Sequence, residues 1–173
     1  EYTLLDSSTI PAVGATAYTL EMTSGAWRGP QQIDQVLWRH YVSMVIPPLV
    51  TSDKCLLVVS GGSTGSAPPD DVAEMLLPFS LSTGSVVALI RAVPNQPLVF
   101  ADETRTRVED EIIAYSYDEF LTGYAEGNPD MTWPALLPMT RAAVRAMDTL
   151  QDFLGETKPG THYAINDFVV TGA

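Results

Sequence analysis

Residues 55–59, Cys55-Leu-Leu-Val-Val59, are apolar at every position, and the chain breakers Ser60-Gly-Gly-Ser-Thr-Gly-Ser-Ala-Pro-Pro69 follow at once. A strand with no polar face must be covered on both sides. That points to the centre of a sheet with helices packed on each face. Residues 85–92 (Ser-Val-Val-Ala-Leu-Ile-Arg-Ala) repeat the pattern. Around these two runs the sequence predicts strands at 17–22, at 36–46 (ended by Pro47-Pro48) and at 163–170. A helix over 71–82 is expected to break near Pro78, because proline lacks the N–H that the helix needs. A second helix is expected over 107–121, with Val108, Ile112 and Tyr115 on one stripe. Pro94-Asn-Gln-Pro97 reads as a turn, and 123–139 as a loop. A third helix is expected over 140–154, capped by Thr140 and closed by Gly155. Strands first, then strand and helix in alternation, predict one α/β domain with a mainly parallel sheet.

Composition narrows the partners. The chain has 173 residues, 46% of them hydrophobic and 17% charged, which excludes a disordered acidic tail. Acids outnumber Lys and Arg 21 to 9, for a formal charge of -12. Nucleic acid and anionic membrane both call for a basic surface, so neither is an expected partner. No apolar run approaches the roughly 20 residues of a membrane span. Cys55 is the single cysteine, so no intrachain disulfide forms, and its apolar setting suits an inert core thiol. No His/Cys cluster has zinc-ligand spacing, so neither metal nor cofactor is expected.

Few residues here could do chemistry. Gly61-Gly62-Ser63-Thr64-Gly65 fits G-x-S-x-G, the nucleophile-elbow pattern, and follows a strand. An elbow opens directly into a helix, whereas here Ser66-Ala-Pro-Pro69 comes next. Ser63 as nucleophile, with His162 as its base, is therefore the alternative reading. The loop suits an electrophilic role better. A glycine-rich turn after a central strand can bring backbone N–H groups to a developing oxyanion, since glycine carries no Cβ to block the approach. His40 lies within a predicted strand, as a hydrogen-bonded structural histidine would. Acids gather at Asp102-Glu103 and Glu109-Asp110-Glu111 around Arg105 and Arg107. Ion pairing explains most of such a run. Glu109 and Asp110 are also candidates to hold a substrate cation, such as a peptide N-terminus. Trp133 is a candidate to line a substrate cleft.

Long stretches resemble the PhoPQ-activated pathogenicity-related protein family. They are Pro94-Asn-Gln-Pro-Leu-Val-Phe-Ala-Asp102, Arg105-Thr-Arg-Val-Glu-Asp-Glu-Ile-Ile-Ala-Tyr115 and Trp133-Pro-Ala-Leu-Leu-Pro-Met-Thr-Arg-Ala-Ala-Val-Arg-Ala-Met-Asp148. Leu20-Glu-Met-Thr-Ser24 and Trp38-Arg-His40 are similar as well. The resemblance implies an α/β-hydrolase-like fold. It also implies that Phe168-Val-Val-Thr-Gly-Ala173 is the strand before a nucleophile serine, expected immediately after Ala173. Residues 1–173 would then be the N-terminal portion of one hydrolase domain, with no nucleophile of their own. A C-terminal portion or companion chain would complete it and supply serine, acid and base, and residues 1–173 alone would be inactive. Gly61, Gly62 and Ser63 would form the oxyanion hole, with Ser63 where the family more usually has a third glycine. The substrate would be a small molecule or a peptide. The start at Glu1 without Met suits a processed, secreted or periplasmic protein. A binding or signalling protein on a hydrolase scaffold is the reading from a different functional class.

Overall fold

The computed structural model describes residues 1–68, 71–157 and 164–172. The elements run β1 (Tyr2–Ile10), β2 (Ala15–Ala26), β3 (Leu37–Ile46), β4 (Lys54–Val59), α1 (Val72–Thr83), β5 (Val86–Ile90), β6 (Leu98–Val99), β7 (Thr106–Arg107), α2 (Asp110–Ala125), α3 (Leu136–Thr157) and β8 (Asp167–Gly172). Six strands form one sheet in the order β1-β2-β3-β5-β4-β8, and β6 pairs with β7 apart from it.

The expected mainly parallel sheet is corrected. Pairs β1/β2, β2/β3 and β3/β5 are antiparallel, while only β4/β5 and β4/β8 are parallel. The reason lies in the connections. Residues 11–14 turn β1 directly into β2, with Gly14 at φ 72, and no helix separates β2 from β3. Strands joined without a crossover lie antiparallel; a parallel pair requires one. Helix α1 provides it between β4 and β5, and α2 with α3 provides it between β5 and β8.

Helices cover opposite faces, as the all-apolar strands require. On one face α3 sets Ala142, Ala146, Leu150 and Leu154 against Leu20, Met44, Leu57 and Ile90. On the other, α1 sets Val72 and Leu76 against Val45, Val87 and Leu89. A third cluster, Trp27, Trp38, Phe100 and Ile112, lies under α2. Cys55 is fully buried, and burial pushes its thiol up to about 12, as an inert core thiol requires.

Several local expectations shift. Helix α1 runs through Pro78 without a break. Helix α3 begins at Leu136, so Thr140 is interior and its Oγ1 donates to the Leu136 carbonyl at 2.8 Å; Gly155 is interior too. Pro138 is tolerated because N–H groups of a first helical turn have no intrahelical acceptor. Among the described residues no helix is long and apolar enough to cross a membrane.

Candidate functional site

Strands β4 and β5 are parallel neighbours, yet the chain leaves them toward opposite faces, through α1 from β4 and toward α3 from β5. Such a reversal opens a crevice outside the carboxyl ends of the two strands, the usual ligand position in open α/β sheets. Here those ends are Ser60-Gly61-Gly62 after β4 and Arg91-Ala92 after β5. The predicted loop Gly61 to Ser63 therefore stands at the crevice. Strand β8 lies on its other side, with Gly172 paired to Val59.

The two turns are laced together. Ala92 N–H donates to the Gly61 carbonyl at 3.0 Å and Val93 N–H to the Ser60 carbonyl at 3.2 Å. Thr64 N–H donates to the Gln96 carbonyl at 2.7 Å. The first two bonds use carbonyls of the loop and the third the Thr64 N–H, and the N–H groups of Gly61, Gly62 and Ser63 have no acceptor among the described residues. Successive free N–H groups in a turn make a concavity suited to anions. Gly62 has φ 117, which side-chain-bearing residues rarely adopt, so glycine is needed there. A Cβ on Gly61 would lie 3.3 Å from Glu109 Oε1, and one on Gly62 would lie 3.5 Å from Arg91 Nε. The loop thus runs between a carboxylate and a guanidinium.

Behind it sits His40. Its Nδ1 faces the carbonyls of Ala92 at 3.0 Å and Arg91 at 3.3 Å, and its Nε2 faces Ser24 Oγ at 2.9 Å. Carbonyls only accept, so Nδ1 carries the proton and Nε2 accepts from the Ser24 hydroxyl. Burial holds its pKa down to about 4, and Arg141 also lowers it; the two carbonyl bonds oppose these effects. His40 is thus a neutral, hydrogen-bonded histidine that fastens Ala92, itself at φ 64.

The acidic run divides. Glu103 and Glu111 pair with Arg107 and Arg105, as ion pairing predicts. Glu109 and Asp110 pair with neither, and Glu109 is held at φ 45 just before α2, its N–H donating to Gln96 Oε1 at 2.6 Å. Trp133 lies elsewhere: Arg28 stacks on its ring at 4.0 Å and also pairs with Asp130. His162 and Ala173 fall outside the described residues. A cavity of about 520 Å³ opens beside the loop, lined by Arg39, His40, Tyr41, Ser63, Thr64 and Asn95 among others. Trp133, Glu109 and Asp110 are not among its lining residues.

Sequence reasoning missed the segment 91–96. Pro94 to Pro97 reads as a turn, yet Ala92 through Gln96 are all buried, and the Val93–Pro94 and Gln96–Pro97 bonds are cis. Asn95 Oδ1 accepts from Arg39 N–H, and both oxygens of Gln96 brace the site, one at Thr64 and one at Glu109. Two amide side chains between two prolines were the available signal. Among the described residues no group of His, Cys, Asp and Glu could hold a metal ion.

The profile of the PhoPQ-activated pathogenicity-related protein family matches residues 1–173. The chain belongs to that family. Autocrine proliferation repressor protein A of Dictyostelium discoideum is 35% identical over 168 residues, which cover 96% of this chain and 32% of that protein. The family member described here thus spans about a third of that relative's length. Among solved structures, a CE15 glucuronoyl esterase from Teredinibacter turnerae T7901 is similar with a TM-score of 0.43 and 14% identity, over 99% of this chain and 39% of that one.

Proposed function

We propose that residues 1–173 form the oxyanion-binding part of a serine hydrolase that cleaves esters or amides through an acyl-serine. One observation carries the reading. Three successive N–H groups, on Gly61, Gly62 and Ser63, lack acceptors among the described residues and stand at the crevice end of a central strand. In this reading the nucleophile is a serine expected immediately after Ala173. Strand β8 supports that place, because its carboxyl end at Gly172 lies beside Val59, just before the loop. The serine oxygen adds to the substrate carbonyl, and its proton passes to a base outside residues 1–173. The carbonyl oxygen becomes an oxyanion, which the loop N–H groups receive. Collapse expels the alcohol or amine with that proton. Water then repeats the sequence on the acyl-serine and releases the acid.

A substitution series on the full-length protein tests this. Gly62→Ala forces a side chain into φ 117 and displaces the donors. We expect kcat on an activated ester to fall about a hundredfold, the cost of one oxyanion donor. Ser63→Ala keeps its N–H, so its kcat should stay within about threefold. Abolition of activity by Ser63→Ala would instead support Ser63 as nucleophile. Unchanged kcat in Gly62→Ala would remove the loop from the chemistry.

A further inference from the structure

In a chain with 21 acids and 9 Lys and Arg, a cation without a carboxylate is the exception. Arg28 pairs with Asp130, Lys54 with Asp167, Arg105 with Glu111, Arg107 with Glu103 and Arg145 with Asp148. Arg141 donates to the Ala26 carbonyl. The side chains of Arg39 and Arg91 have no hydrogen bond or ion pair among the described residues.

Both stand on one face of the sheet, beside the glycine loop. Alternation along β3 puts Arg39 and Tyr41 on the same side. Arg91 N–H donates to the Tyr41 carbonyl at 2.9 Å and extends the register that pairs Val42 with Ile90. Arg91 is therefore opposite Tyr41 and diagonal to Arg39. Diagonal neighbours lie about 7–8 Å apart, within reach of long side chains. Arg39 lines the large cavity with Ser63, Thr64 and Gly65. Arg91 lines a smaller recess with Gly62 and Ser63, and Tyr41 belongs to both. Glu21 and Asp34 line the cavity too, but pair with neither arginine, and Asp34 Oδ1 accepts from the Val99 N–H. Two neighbouring like charges repel, and an anion between them removes that cost and gains charge-assisted hydrogen bonds.

We propose that Arg39 and Arg91 form a subsite for a carboxylate carried by the substrate. Its place in turnover rests on the hydrolase reading above; the binding of a carboxylate does not. The test uses the full-length protein, wild type, Arg39→Gln, Arg91→Gln and the Arg39→Lys and Arg91→Lys rescues. Two esters are compared by nitrophenol release, p-nitrophenyl hydrogen glutarate and its neutral methyl ester. Free glutarate is titrated separately at low salt by NMR. We expect wild type to prefer the charged ester in kcat/KM, and each Gln variant to lose about tenfold of that preference, as for one charge-assisted hydrogen bond. The Lys variants should recover part of it. Glutarate should shift loop amides in wild type, and the Gln variants should weaken that binding. If neither ester is cleaved but glutarate binds through both arginines, the hydrolase reading fails and the subsite stands. If both esters are cleaved without preference and glutarate does not bind, the subsite is overturned and the hydrolase reading survives. A preference equal in wild type and both Gln variants also overturns it.

Discussion

Acid should destabilise this protein through His40 at milder pH than through Asp130 or Glu103. The folded chain keeps His40 neutral, at a pKa of about 4 against an ordinary 6.5. The unfolded chain takes up a proton at the ordinary value, so it binds more protons throughout the window between the two. Stability from this group is complete above pH 6.5 and drains away as pH falls toward 4. The slope is about 1.4 kcal/mol per pH unit and the full swing about 3 kcal/mol. Asp130 and Glu103, held low by Arg28 and Arg107, lose their contributions only at more acid pH. Burial raises the pKa of Glu119, which works in the opposite direction. His40→Asn separates the effects, since an amide can donate to the Ala92 carbonyl but cannot titrate. Urea unfolding read by tryptophan fluorescence suits the purpose, because the buried Trp38 ring lies 6.3 Å from the imidazole. We expect the wild-type midpoint to fall steadily through the window at constant m-value, and the variant's to stay nearly flat. Parallel loss in both proteins would refute the assignment.

Two further stability outcomes follow from named contacts. Arg28→Ala removes both the stacking on Trp133 and the Asp130 ion pair, and should cost about 1–2 kcal/mol in thermal unfolding, the ion pair being partly exposed. Arg28→Lys should recover little, since an ammonium neither stacks nor forks. Gly84→Ala places a side chain at φ 61 and drives its Cβ into the Thr51 hydroxyl, so unfolding should become easier by at least about 1 kcal/mol. Equal stability of Gly84→Ala and wild type would contradict that account of the α1 C-terminus.

Fully apolar runs were legible in the sequence because nothing else explains them: residues 55–59 and most of 85–92 are central strands. Helix α3 was legible from an apolar stripe at Ala143, Met147, Leu150 and Leu154, though its start was not, and the face it buries runs through Ala142 and Ala146 rather than Ala143 and Met147. Strand β1 was missed because its side chains are mostly exposed, so no alternation marks it; its backbone ladder to β2 holds it. Strand direction was misread because side-chain burial does not record it, whereas connections do. The glycine loop announced itself by composition. Its braces did not, since the approach of Gln96 and Glu109 to residues 61–64 depends on contacts between distant segments. Arg39 and Arg91 are ordinary in sequence, and only the pairing of the other described Lys and Arg side chains sets them apart.

One measurement goes to the centre of the account. The full-length protein is treated with a fluorophosphonate, which forms a covalent adduct with an activated serine, and the labelled peptide is sequenced by mass spectrometry. The account predicts one adduct, on a serine immediately following Ala173, formed much more slowly in Gly62→Ala. An adduct on Ser63, or no adduct on a folded protein, would contradict it.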